Sequence, residues 1–357
     1  MRGFCLLVLI VDHLQFFPSA YDLVAGRGLY WVSAAEGFFF ISGLLIGMVR
    51  YRDLLRSGLR TIVGKSWRRA GTLYIASIIL TLVYTAIGQL AEANNLNGAK
   101  VGLATGMSWL EIVWRTITLR YSYGWTDFLN YYVAYLLLAP GVLWLLRRRA
   151  DLVVLAASIA LWLSHFWWDH PPLDDLVSWQ VYFFTGMVIG VRWKELKQWV
   201  GSVPRPRLRL AKRVIVISTL VTMVINAIYN NGPGWLGNTS GIAHWILQQT
   251  NSSLYYVLFE DNRHALLRYP IFLLWWLAFY LVCRRYEGWV MAKLGWLLMP
   301  LGTNSLYVYI ISGVLAYLVH FIKWPQGFVV GTILATIGIL LIWYPTKKGW
   351  LFGVIPR

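Results

Sequence analysis

Three ionisable side chains, Asp12, His13 and Glu36, stand inside apolar runs near the start of a chain of 357 residues. An ionised group in hydrocarbon costs on the order of 3 kcal/mol on insertion scales, so each requires a partner or a function. Arg2 lies eleven residues before His13. At about 100° and about 1.5 Å per residue, that spacing puts guanidinium and imidazole on one helix stripe, about 16 Å apart. An imidazole is the natural general base for an alcohol proton at neutral pH, provided a second group orients its ring. Asp12 projects about 100° away from His13, and Glu36 needs His13, Arg27 or a more distant cation. The chemistry implied is proton abstraction by His13, with Glu36 or Asp12 orienting or charging the ring. The plain alternative is a buried histidine bonded to a neighbouring helix.

Other residues could bind a substrate. Lys65, Arg68 and Arg69 precede an apolar run, and such forks suit phosphate or carboxylate, although topology alone also places basic residues there. Ser33, Ala34, Gly37, Ser42 and Gly43 are small enough to let helices approach closely. Asp127, Tyr132, Trp179 and Gln180 open two further runs and offer hydroxyl-binding groups beside aromatic rings. His165, Asp169, His170, Asp174 and Asp175 match no standard metal spacing, and no metal is expected. Cys5 and Cys283 read as small apolar residues.

The elements that must hold these groups follow from composition. Hydrophobic residues make up 58% and charged residues 13%, with mean hydropathy +0.57, which excludes an ordinary soluble domain. Runs of about twenty apolar residues recur about ten times, at roughly 4–18, 29–49, 70–90, 126–146, 152–168, 177–191, 214–231, 265–283, 295–319 and 327–345. When successive connections are assigned to alternate sides, 25 of the 32 Lys and Arg fall on one side. That asymmetry orients the chain with both termini cytoplasmic. The net charge of +17 is then topology, and no nucleic-acid partner is expected. The expected fold is all-α: one polytopic integral membrane helix bundle over 1–357, with polar extracytoplasmic loops at about 90–125 and 232–264. No cleavable signal peptide is expected, because Asp12 and His13 interrupt the first run.

In order along the chain these motifs resemble those of the acyltransferase-3 superfamily of membrane O-acyltransferases, in its OpgC-type branch of periplasmic glucan succinyltransferases. Arg2-Gly3 and His13 resemble its R-x10-H pattern. Ala35-Glu36-Gly37-Phe38-Phe39-Phe40-Ile41-Ser42-Gly43 resembles A-E-x-F-x-F-x-S-G. Trp67-Arg68-Arg69 with Leu73-Tyr74, Asp127 to Tyr132, Trp179-Gln180 with Phe183, Phe184, Gly186 and Met187, and Gly302 to Tyr307 are similar to later segments. Two departures stand out: ahead of Arg2-Gly3 the family's acidic arm is missing or the chain start is differently placed, and Ser312 stands where many superfamily members carry a histidine.

The resemblance implies a bacterial inner-membrane, multi-pass enzyme. It moves an acyl group from cytoplasmic acyl-CoA, or succinyl-CoA if the group is succinyl, to a hydroxyl of an extracytoplasmic glycan. His13, Glu36 and Asp12 would be catalytic. Arg2, Arg68, Arg69, Ser42, Asp127, Tyr132, Trp179 and Gln180 would bind substrate, amid membrane lipid. Monomer and oligomer both fit. The rival reading is a proton-coupled transporter or flippase of an anionic glycan or lipid, using Arg2, His13 and Glu36 as a relay. Neither an inverted repeat nor paired helix breaks are evident in the sequence to favour it.

Overall fold

Glycine, proline and charged residues cut the apolar sequence into helices, and the computed structural model describes residues 1–26, 30–94, 103–167, 171–229, 265–353 and 355. Arg27, Lys100, Asp169, His170, Arg263, Arg357 and the loop expected at 232–264 lie outside the described residues. Among the described residues the regular elements are helical, with no strand. In chain order they are α1 (Arg2–Leu14), α2 (Asp22–Ala25), α3 (Ala34–Ala93), α4 (Trp109–Ile117), α5 (Asp127–Arg147), α6 (Asp151–Ser164), α7 (Pro171–Val191), α8 (Trp193–Ser202) and α9 (Arg205–Tyr229). After the undescribed loop come α10 (Arg268–Arg285), α11 (Glu287–Thr303), α12 (Ser305–His320) and α13 (Phe328–Lys348).

Two local details differ from the expected spans. The basic stretch 50–69 is not a loop. It continues α3 from the second apolar run into the third, broken only at Gly58, whose φ of 77° and ψ of 173° suit glycine alone. The expected span 295–319 is not one straight helix. Pro300 removes a helical donor and Asn304 leaves helical geometry, so α11 and α12 meet at 91°. Among the described residues three helices, α3, α5 and α13, are long and apolar enough to cross a membrane, or four crossings if the bent α11–α12 pair counts as one.

Small residues decide which helices touch. Gly43 and Gly47 of α3 cross Gly186 and Gly190 of α7, two G-x-x-x-G pairs facing each other. A Cβ on Gly43 would lie 1.9 Å from the Phe183 carbonyl oxygen, and one on Gly186 would lie 2.2 Å from that of Phe40. Gly3 does the same for α1, where a Cβ would sit 2.0 Å from the Leu298 carbonyl oxygen of α11. The glycine after Arg2 therefore sets how deeply α1 beds into the bundle.

Two cores result. One gathers Phe39, Tyr84, Leu129, Tyr135, Tyr182 and Phe183 from α3, α5 and α7. The other gathers Leu6, Ile10, Leu14, Leu301, Val308 and Ile342 from α1, α11, α12 and α13. Trp125 and Phe128 pack against both and mark the seam. Ion pairs cross-link the basic connections: Arg192 to Asp151 at 2.7 Å, Arg149 to Glu195 at 2.8 Å and Lys65 to Asp53 at 2.8 Å. The Lys65 hydrogen bond holds the partly exposed Asp53 carboxyl below the usual carboxylate range.

Candidate active site

α1 carries Arg2 and His13 to its opposite ends, and each side chain lines a different cavity along the seam. At the His13 end lies a chamber of about 450 Å³, walled by His13, Trp125, Asp127, Tyr131, Asp175, Trp179 and Arg268, with Ser33, Phe128 and Tyr309. The Trp125 ring stacks on the buried imidazole, with centroids 4.3 Å apart and planes at 21°. The Tyr309 ring meets the imidazole edge-on at 6.1 Å. Tyr309 donates its hydroxyl to the Trp125 carbonyl, so the aromatic wall that holds His13 is itself tied down. Asp127 begins α5, where its Oδ1 accepts the Phe128 N–H at 2.8 Å. Tyr131, one turn on, donates to Asp175 Oδ2 at 3.1 Å. The chamber thus combines an imidazole, two carboxylates, a guanidinium and two indoles. That set is fit to bind a polyhydroxylated molecule and to take a proton from one of its hydroxyls.

Glu36 lies behind this wall. Its carboxylate accepts the Ser33 backbone N–H, the Ser33 hydroxyl at 2.7 Å and the Nε–H of Arg268. Both partners are buried, at 0% and 5% exposure. Ser33 and Glu36 form the capping box that starts α3, so one carboxylate begins a helix and neutralises a buried guanidinium. Neither Glu36 nor Asp12 lines the chamber beside His13; the carboxylates that do are Asp127 and Asp175. Asp12 is half-buried, and its Oδ1 has no hydrogen-bond partner among the described residues.

At the Arg2 end, Arg2, Phe38, Arg69, Leu73, Tyr132 and Ser305 line a crevice with Phe128 and Tyr309. The Arg2 guanidinium lies over the Phe38 ring at 5.1 Å, and its buried Nε has no hydrogen-bond partner among the described residues. The crevice volume is about 10 Å³, which is room for about one water, so a substrate must part its walls. Phe128 and Tyr309, stacked with centroids 5.7 Å apart, face both cavities and form the septum between them.

The OpgC protein family matches residues 1–350. The chain belongs to that family. Neither a curated protein nor a solved structure matches it. Membership in the OpgC family points to a transferase that modifies glucans, of the succinyltransferase type, and the apolar helices make the chain a membrane protein.

Of the residues singled out from the sequence of this OpgC-family chain, the structure brings His13, Asp127 and Trp179 to the chamber, and Arg2, Arg69 and Tyr132 to the crevice. Others stand apart. Gln180 lines neither cavity; it accepts the Ser158 hydroxyl at 2.6 Å and donates to the Ser158 carbonyl at 2.7 Å, clamping α7 to α6. Ser42 is buried in α3 outside both cavities, and Arg68 is exposed. Cys5 and Cys283 are free. His165 bonds to the Trp162 carbonyl through Nδ1.

Arg268, Tyr131, Asp175, Trp125 and Tyr309 were not singled out by sequence as site residues. Arg268 opens an apolar helix, where an arginine reads as an interfacial anchor, and its partner is 232 residues away. A signal did exist. Glu36 needed a cation, and only seven basic residues fall outside the set of 25 that alternation assigns to one side, Arg268 among them. Asp175, grouped in the sequence with residues that match no metal spacing, lines the chamber from α7.

Proposed function

We infer that this OpgC-family protein is an acyltransferase of the acyltransferase-3 kind, folded as one integral bundle of about ten spans in a bacterial inner membrane with both termini cytoplasmic. The acyl group, succinyl by family membership, comes from cytoplasmic acyl-CoA and goes to a hydroxyl of an extracytoplasmic glucan. The observation that carries this reading is the pair of cavities meeting at the Phe128–Tyr309 septum, with cations on the Arg2 side and an imidazole amid carboxylates and indoles on the other.

In the proposed reaction Arg2 and Arg69 hold the anionic donor from the cytoplasmic side, and the thioester reaches the septum. Trp125, Trp179, Asp127 and Asp175 position the sugar. His13 takes the proton of the acceptor hydroxyl as its oxygen attacks the thioester carbonyl. The carbon–sulfur bond then breaks, and the imidazolium returns its proton to the leaving thiolate. Glu36 acts at one remove, by neutralising Arg268 and holding it against the chamber. The Arg268 guanidinium is placed to meet negative charge there, whether the developing oxyanion or a succinyl carboxylate.

The test is acyl transfer from radiolabelled acyl-CoA to purified glucan by the intact protein in membranes. His13→Ala is expected to abolish transfer while the protein remains folded. Undiminished transfer would remove His13 from the mechanism, and glycan flux in liposomes without acyl transfer would replace the enzyme with a transporter.

A further inference from the structure

α11 and α13 leave an opening of about 600 Å³ at the Arg2 end of the bundle, lined by Thr303, Asn304, Thr346, Lys347, Lys348 and Phe352 among others. Among the described residues that line it there is no carboxylate. The sequence sharpens that point: after Glu287 the chain contains no Asp or Glu, while Lys293, Lys323, Lys347, Lys348 and Arg357 all fall there. Lys347 Nζ rests 4.8 Å from the Trp343 ring centroid, which orients the side chain without neutralising it. Asn304, the residue ahead of α12, does not cap that helix with its side chain; its amide donates instead to the Pro300 carbonyl at 3.0 Å.

The opening abuts the donor crevice. Asn304 lines the one and its neighbour Ser305 lines the other. Gly302, next in sequence to the lining residue Thr303, packs on Gly3, where a Cβ would come within 2.9 Å of the Gly3 nitrogen. An elongated ligand with several negative charges at one end and an uncharged arm at the other matches this layout. Its charges meet two ammonium groups, and its arm follows Ser305 toward Arg2 and Arg69.

We propose that this opening binds the phosphate groups of the nucleotide end of a thioester donor, with Lys347 and Lys348 as the phosphate ligands. The proposal rests on the acyl-CoA reading above. The phosphate of an anionic lipid headgroup shares the same chemistry, so the experiment separates the two sources.

The full chain, purified in neutral detergent, is titrated calorimetrically with coenzyme A and with 3′-dephospho-coenzyme A. Lys347→Gln/Lys348→Gln is expected to weaken coenzyme A about tenfold or more, with a smaller loss for the dephospho form and a flatter salt dependence. Lys347→Arg/Lys348→Arg is expected to retain binding. With acyl-pantetheine, which lacks the nucleotide, the Gln variant should transfer acyl groups at the wild-type rate. Equal coenzyme A affinity in wild type and Gln variant overturns the site while leaving the donor reading intact. A loss seen only in nanodiscs of anionic lipid, and not in neutral detergent, assigns the lysines to headgroups and also overturns it. Equal loss of acyl-pantetheine turnover marks the effect as structural and does the same. Failure of the folded wild type to bind coenzyme A removes the donor reading itself, and this site with it.

Discussion

Replacing Glu36 by Gln separates the two roles this carboxylate could have. It is fully buried, and it faces an Arg268 guanidinium that is 5% exposed. Glutamine keeps the shape and can still accept from Ser33, so the capping box loses little. The loss falls on Arg268, whose buried charge gives up the Glu36 carboxylate. Removing one partner of a buried pair costs about 3–5 kcal/mol, whereas replacing both partners by neutral groups of similar volume is often nearly neutral. Glu36→Gln should therefore destabilise by about 3–5 kcal/mol, and Glu36→Gln/Arg268→Met should recover most of that stability. The assay is denaturant unfolding of the purified protein in detergent, run as a double-mutant cycle with acyl transfer measured in parallel. A loss under about 1 kcal/mol for Glu36→Gln, or a double variant no more stable than the single one, would refute the pairing argument. Intact stability with abolished transfer would return Glu36 to the role of orienting His13.

Further expectations concern the cavities and the packing. His13→Ala should lower kcat by about a hundredfold or more in a protein that still unfolds cooperatively, read from transfer assays and unfolding curves on one preparation. Arg69→Ala should raise KM for the donor more than Arg68→Ala, because Arg69 lines the crevice and Arg68 is exposed; equal effects in initial-rate measurements would count against the crevice. Phe128→Ala opens the septum, and hydrolysis of acyl-CoA should rise relative to transfer, measured as free thiol released per acylated glucan. Gly43→Leu should destabilise by about 1–3 kcal/mol or more, since even a Cβ would stand 1.9 Å from the Phe183 carbonyl oxygen, and thermal unfolding reads this out. Gly58→Ala forces a side chain into a glycine-only backbone region and should cost about 1–3 kcal/mol, although nothing lies within 4 Å of the added Cβ.

How far the site can be read from sequence depends on the range of the interaction. The Arg2–His13 stripe needs only helix periodicity over eleven residues, so it is legible at once. The small residues of Gly43-x-x-x-Gly47 are visible as a packing face, but their partners Gly186 and Gly190 become evident only when α7 is laid across α3. Gln180 illustrates the opposite case. A polar residue beside Trp179 resembles a sugar ligand, yet helix rotation turns it away from the chamber and onto Ser158. Arg68 and Arg69 are neighbours in sequence and identical in chemistry. About 100° of helix rotation sends one to solvent and the other to the crevice.

By itself the sequence determined that the chain is helical and apolar enough for a membrane, that its basic residues segregate by connection, and that Asp12, His13 and Glu36 needed explanations. Each of these follows from composition or local periodicity, which survive without a third dimension. Tertiary structure alone decided that Glu36 meets Arg268, that Asp127 and Asp175 supply the carboxylates lining the same chamber as the imidazole, and that Phe128 and Tyr309 line both cavities of the seam. A buried charge states that it must have a partner. Which partner it has depends on the packing of segments 232 residues apart, and no local pattern in the chain encodes that choice.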